Sequence, residues 1–273
     1  MLDADKIAAG INGDLQDWLA FNLTGAFALP DGLKHVAPFP PAELMQNTTG
    51  LTSNSDFASH GCDILKALSS ASDKPLREFD AVLDFGVGVG RLARMFKGFR
   101  GRYAGVDVDR RHVEWVASAL KYVDAYATEP GYTLPFRGAC FDCVISVSVF
   151  THMNERDQRF YLGELARVAN SGATLLLTVH GERALIRAET EPQIFEMLWV
   201  PAESIPQTRA AFSTSGFNFI LQQGHLTSSR YEYGITFISS EYIKRVWSDY
   251  FDIVRLCPGA IHDFQDVVVL RAR

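Results

Sequence analysis

Three glycines alternate at Gly86, Gly88 and Gly90, directly behind the apolar run Val82-Leu83-Asp84-Phe85. An apolar run that ends in glycine reads as a buried strand entering a tight turn. Glycine permits that turn and lets a ligand approach the backbone. The segment behind the glycines reads as a helix with Leu92, Ala93 and Phe96 inward; its first turn would offer unpaired N–H groups. Asp107 closes the next apolar run, 17 positions past Gly90. A carboxylate at the tip of the adjacent strand can accept from both hydroxyls of a ribose. The dinucleotide fingerprint is G-x-G-x-x-G. Here the third glycine comes one position early, and Asp84 precedes the first by two. A carboxylate at that point is poorly placed for a pyrophosphate and suits a ligand with an ammonium group and no phosphate.

Two histidines stand where acid–base chemistry would be done. His152 follows the fourth apolar run and His180 ends the fifth, so both fall at the carboxyl edge where open α/β sheets bind ligands. An imidazole with a pKa of ~6.5 suits a general base. The alternative for each is a hydrogen bond to a loop. His225, Tyr231 and Tyr233 could line an acceptor pocket or simply pack a lid.

The elements that must position these groups alternate. Strands are expected at 81–85, 102–107, 123–126, 142–147 and 173–179, with helices over about 110–120 and 155–168 between them. Such alternation implies right-handed crossovers and a mostly parallel sheet. A helix near 240–247 precedes two strands, 251–256 and 266–270, which should pair antiparallel across the short linker 258–263. The region up to residue 78 reads as a helical N-terminal cap. It holds helically spaced Leu15, Trp18, Leu19 and Leu23, a proline-broken stretch, and a helix over about 56–69. Residues 79–273 then form the main domain, with a poorly periodic lid insertion over about 181–238.

Composition sets bounds. The chain has 273 residues, 47% of them hydrophobic, and a net charge of −6. That balance lacks the basic face that nucleic acid binding usually needs. No apolar run reaches the ~20 residues that span a bilayer. The start is acidic, without the basic-then-apolar order of a secretory signal, so a cytoplasmic location is expected. Cys62, Cys140, Cys143 and Cys257 are too few for a disulfide framework. Cys140 and Cys143 are spaced C-x-x-C, but no second Cys/His pair stands at zinc spacing, so packing thiols and no metal site are expected.

These residues resemble a known family. Asp84-Phe85-Gly86-x-Gly88-x-Gly90 is similar to the first motif of class I S-adenosylmethionine (SAM)-dependent methyltransferases, and Gly105-Val106-Asp107 to their second. Thr133-Leu134-Pro135-Phe136, followed by Cys140-Phe141-Asp142-Cys143-Val144-Ile145, resembles their loop and fourth strand. Glu164-Leu165-x-Arg167-Val168, followed by Gly172-Ala173-Thr174-Leu175-Leu176, resembles the next helix and strand. More narrowly, residues 146–152 and 178–181 are similar to bacterial methyltransferases found with glycan or secondary-metabolite genes. The resemblance implies an α/β, Rossmann-like, seven-stranded, mostly parallel sheet whose last strand is antiparallel.

It also implies residue roles. Gly86, Val87 and Gly88 would approach the methionine moiety, and Asp84 would neighbour its ammonium. Asp107 would bind the ribose and Val108 would pack on the adenine. Leu134 would sit by the adenine edge and Ser146 near the methionine carboxylate. The region of Thr49-Gly50 and Phe57 to Gly61 resembles the cap of such enzymes. One departure stands out: many relatives carry Asp or Asn shortly before Leu-Pro-Phe, and here that stretch is Gly131-Tyr132-Thr133.

The expected function is methyl transfer from SAM to oxygen or nitrogen of a small-molecule or sugar-containing acceptor, with His152 or His180 as base. The alternatives are a non-catalytic SAM-binding protein and a nicotinamide-dependent oxidoreductase. Glycine spacing disfavours the latter, as does the lack of an evident Tyr-x-x-x-Lys pair.

Overall fold

Apolar runs with few polar interruptions become the strands of a sheet covered on both faces. The computed structural model describes residues 4–222 and 231–273. Seven strands form the main sheet: β1 (Ala81–Phe85), β2 (Arg102–Asp107), β3 (Val123–Ala127), β4 (Phe141–Ser146), β5 (Ala169–Val179), β8 (Phe251–Ile261) and β9 (Gln265–Ala272). Two more, β6 (Phe217–Leu221) and β7 (Gly234–Ile238), form a separate two-stranded antiparallel sheet. The spatial order is β3-β2-β1-β4-β5-β9-β8. This is the expected Rossmann-like sheet, with the last strand of the chain antiparallel to both its neighbours.

The chain divides into two compact units, Met1–Thr128 and Glu129–Arg273. In the first, β1 and β2 pair in parallel with Asp84 opposite Gly105, and β2 pairs with β3 in parallel with Asp107 opposite Ala127. Helices precede β1, the longest being Asn54–Ala71. Ser53 accepts from the Asp56 N–H at its start, and Phe57, Ile64, Leu65 and Leu68 form its buried side. The helix Ala42–Thr49 packs Met45 with Phe57 and Val89 of the glycine turn.

One expectation fails in this unit. No α-helix follows the glycines; a four-residue 3-10 turn, Ala93–Phe96, stands there. Only seven residues separate Gly90 from Gly98, less than two helical turns, and Lys97 already leaves in extended backbone. The glycine turn must therefore act through its own backbone, without a helix N-terminus behind it.

In the second unit β4 and β5 pair in parallel, and β9 lies antiparallel to β5 and β8. The stretch expected as a linker at 258–263 is mostly strand, because β8 runs on to Ile261. Pro258 is tolerated where the register shifts between Cys257 and Ile261 on this outermost strand. The described residues of the insertion hold more regular structure than their sequence pattern suggests. Helices Glu182–Thr190, Pro192–Leu198 and Ser204–Phe212 join β6 and β7 around Leu185, Leu198, Ile205 and Phe237. Helices of seven to nine residues give only about two turns each, too few for a clear period.

Candidate functional site

In the first unit the structure gathers Asp84, Gly86, Val87, Gly88 and Asp107 at the ends of β1 and β2. The Gly86 and Val87 N–H groups both donate to the Val106 carbonyl (2.9 Å each), which folds the turn back over β2. Gly88 and Gly90 have φ of 52° and 81°. A Cβ on Gly90 would meet Leu120 Cδ1 at 2.8 Å, and one on Gly88 would meet Thr48 Cγ2 at 3.0 Å. The positive φ at both positions favours glycine, and an added side chain would also press on Leu120 or Thr48.

Asp107 is held by two backbone donors. The Gly88 N–H donates to Oδ2 (2.8 Å) and the Asp109 N–H to Oδ1 (2.9 Å). A carboxylate has about four acceptor sites, so about two are left, the number a vicinal diol needs. Val108, next in sequence, is 39% exposed, an apolar side chain left beside the carboxylate.

Asp84 is only 3% exposed, and the Tyr103 hydroxyl donates to its Oδ2 (2.8 Å). Burial pushes its carboxyl up to about 7. The Tyr103 hydrogen bond works against that shift, the Asp107 charge adds to it, and the Arg91 guanidinium opposes it. A buried carboxylate lacking a cation at contact distance is suited to receive one. Sequence reading missed Tyr103, although it stands two residues before Gly105, the partner of Asp84 across the strands. The period-2 alternation of β2 could have placed it there.

His112 was also missed. It lies in the helix Arg110–Ala119, three residues beyond the capping Asp109. Its Nδ1 is 3.4 Å from Asp107 Oδ1, and its Nε2 is 2.9 Å from Thr48 Oγ1.

The second unit holds Leu134, Ser146, His152 and His180. Leu134 is buried; its N–H donates to Glu164 Oε2 (2.7 Å) and its carbonyl accepts from Arg167 Nη2 (3.1 Å). The Glu164–Arg167 pair thus pins the loop that carries it. Ser146 is buried at the end of β4, opposite Leu177.

His152 ends the 3-10 turn Phe150–His152. That turn is fixed where Gln158 Nε2 donates to the Phe150 carbonyl (2.8 Å) and Thr236 Oγ1 to the Met153 carbonyl (2.6 Å). His152 Nδ1 lies 2.8 Å from the Gly234 carbonyl, and its ring stacks on Tyr233 at 4.6 Å. A carbonyl can only accept, so Nδ1 carries the proton and Nε2 the lone pair in the neutral ring. Tyr231 lies 6.5 Å from Tyr233, ring to ring. His225 lies outside the described residues.

His180 is different. It is 4% exposed, with its ring against Phe237 and Phe264. Burial lowers its pKa to about 3; nearby His152 adds to the shift and a hydrogen bond to the Thr236 backbone opposes it. This ring is neutral at ordinary pH and a weak base. Asp266, near it at the start of β9, accepts from the Gly259 N–H (2.8 Å) and is pushed by burial to about 6.

Comparison with known proteins fits this geometry. Residues 83–177 match a family described as a methyltransferase domain. The PH0226 protein of Pyrococcus horikoshii OT3 superposes with a TM-score of 0.59 at 14% identity, covering 86% of this chain and 100% of that one. The glycopeptide N-methyltransferase MtfA, solved with SAM, superposes with a TM-score of 0.52 at 13% identity, covering 77% and 93%. Among curated proteins, ajmaline N-methyltransferase of Rauvolfia serpentina is 24% identical over 123 residues. That match covers 43% of this chain and 42% of the plant enzyme, so less than half of that relative's length is spanned. The chain has the class I SAM-dependent methyltransferase fold.

Proposed function

We propose that this protein is a SAM-dependent methyltransferase acting on oxygen or nitrogen of a small-molecule or sugar-containing acceptor. The observation that carries the reading is Asp107, fixed by the Gly88 and Asp109 N–H groups with about two acceptor sites left for a ribose diol. The neighbouring groups fit the rest of such a cofactor. Gly86, Val87 and Gly88 present backbone to the methionine moiety. Asp84 receives the ammonium, and ionises as that cation arrives. Val108 offers the adenine an apolar face. On the family resemblance we assign Leu134 to the adenine edge and Ser146 to the methionine carboxylate. Residues 1–78 are proposed as the cap and 181–238 as the lid.

When bound, SAM supplies a methyl group already activated by its sulfonium. The protein's work is then to align the acceptor, exclude water and remove a proton; alignment alone can contribute ~7–11 kcal/mol. Of the two histidines, His152 is the better base. The Gly234 carbonyl fixes its tautomer with Nε2 as the basic nitrogen, whereas burial leaves His180 a poor proton acceptor. His180 is assigned to holding β7, since its carbonyl accepts from the Ile238 N–H (2.9 Å).

Transfer of labelled methyl from SAM across a panel of hydroxyl and amine acceptors tests this reading. With the best acceptor, His152→Gln is expected to lower kcat by roughly 10²–10⁴-fold with cofactor affinity kept. Unchanged turnover in that variant, in a protein that transfers methyl groups, removes His152 from the mechanism.

A further inference from the structure

His152 is held on two sides by one short segment of the insertion. The Gly234 carbonyl accepts from its Nδ1 (2.8 Å), and the ring of the preceding residue, Tyr233, lies almost flat on the imidazole, with ring centres 4.6 Å and planes 13° apart. The hydrogen bond made by one ring nitrogen sets which nitrogen keeps the lone pair. It does so only while the ring keeps its orientation, and χ2 of a histidine is a broad, roughly two-fold torsion. A half turn about χ2 would put Cδ2 against the carbonyl and Cε1 where Nε2 stood. An aromatic face laid against the imidazole bars the tilt through which such a turn must pass.

The segment that makes both contacts is itself fixed. The Tyr233 carbonyl accepts from the Gln222 N–H (3.1 Å), and the buried Gln222 amide donates to the Leu198 carbonyl (2.7 Å). Gly234 pairs with Leu221 at the end of β6. A Cβ there would stand 2.3 Å from the Ile220 carbonyl oxygen and 2.6 Å from the Phe219 ring, so the two strands close up only over a glycine. The turn that carries His152 is fastened to the same segment. Thr236 Oγ1 donates to the Met153 carbonyl (2.6 Å), and Asn154 Nδ2 donates to Glu232 Oε2 (3.1 Å). Backbone and backbone are thus locked together, which leaves rotation of the imidazole about its own χ2 as the motion still to be restrained. Burial pushes the Tyr233 hydroxyl up to about 12, so this phenol is no proton acceptor near neutral pH.

We propose that Tyr233 is a positioning residue for His152: its ring is the platform that keeps the imidazole turned with Nδ1 on the Gly234 carbonyl and the lone pair on Nε2. The catalytic consequence rests on the reading of His152 as the base. A ring turned over offers a carbon where the acceptor's proton must be received. The second strand of the insertion then does more than cover the site, since it sets the orientation of the group that does the acid–base work.

The test uses nitrogen NMR of isotope-labelled histidine, which reports the nitrogen that bears the hydrogen, with His152→Gln identifying the signal. At about pH 8.5, where an ordinary imidazole is neutral, wild-type His152 should show a single Nδ1–H form. Tyr233→Leu keeps apolar bulk without a flat face, and Tyr233→Phe keeps the face without the hydroxyl. In Tyr233→Leu the signal should become an average over both tautomers. Its kcat should fall about 10- to 100-fold, with acceptor KM and SAM affinity kept within about threefold. Tyr233→Phe should match wild type in both readouts. A wild-type His152 with its hydrogen on Nε2, a Tyr233→Leu protein that keeps the single Nδ1–H signal, or a Tyr233→Phe protein as impaired as Tyr233→Leu overturns the assignment. If Tyr233→Leu mixes the tautomers while neither it nor His152→Gln alters turnover, the platform stands and the reading of His152 as the base falls.

Discussion

Asp84 carries a cost whose sign can be worked out. Its carboxyl titrates near 7 in the folded chain and near ~3.9 when unfolded. Between those values the folded state holds the proton more tightly, so folding stability falls as pH rises from about 4 to about 7. Asp84→Asn keeps an acceptor for Tyr103 and removes the ionisation. We expect the variant to be more stable than wild type at pH 8, by on the order of a few kcal/mol. The two proteins should converge below about pH 4, and the variant should lose the response to the ammonium. Denaturant unfolding at the two pH values checks this; parallel wild-type and variant curves contradict it. The two strand-end carboxylates were legible in position: Asp84 and Asp107 could be placed from the apolar runs before them. Their partners Tyr103, His112 and Thr48 were not, since the contacts depend on strand register and on the docking of a helix some 60 residues away in sequence.

At the scale of elements, the short turn behind the glycines is held by a buried cation. Arg94 is 1% exposed. Its Nε and Nη2 donate to the Ala37 carbonyl, Nε also to that of Pro38 (2.7 Å), and the guanidinium lies 3.5 Å from the Phe39 ring centre. It fastens the proline-broken segment to the turn. Arg94→Ala leaves those carbonyls unsatisfied and opens a cavity, so a loss of about 3–5 kcal/mol is expected. Arg94→Met fills more of the space and should cost less. Gly90→Ala forces a methyl against Leu120 and a positive φ on an alanine, and about 1–3 kcal/mol should go. Thermal unfolding of all three variants is the measurement; wild-type stability in Arg94→Ala removes the clamp. The strands and the helix Glu155–Val168 were readable because their apolar patterns run unbroken. The helix expected after Gly90 was not formed, because propensity cannot show that the chain must turn within seven residues. In the insertion, three short helices share a core with β6 and β7, and no single stretch carries enough pattern to announce it.

For the whole molecule, alternation of strands and helices was enough to give the class of fold, while the order of strands became visible only in the structure. The acceptor stays less legible than the cofactor for a physical reason. A cofactor cradle is built from backbone turns and strand-end carboxylates, which short motifs encode; an acceptor surface is built from side chains on scattered loops. The net charge of −6 gives the whole chain no bulk attraction to a polyanion, in keeping with the small acceptor proposed above.

Calorimetric titration of SAM into the wild-type protein and into Asp107→Ala tests the central claim most directly. Wild type should bind one equivalent, and the variant should bind at least about tenfold more weakly, the loss of two charge-assisted hydrogen bonds to the ribose. No heat with the wild type, or equal affinity in the two proteins, contradicts it.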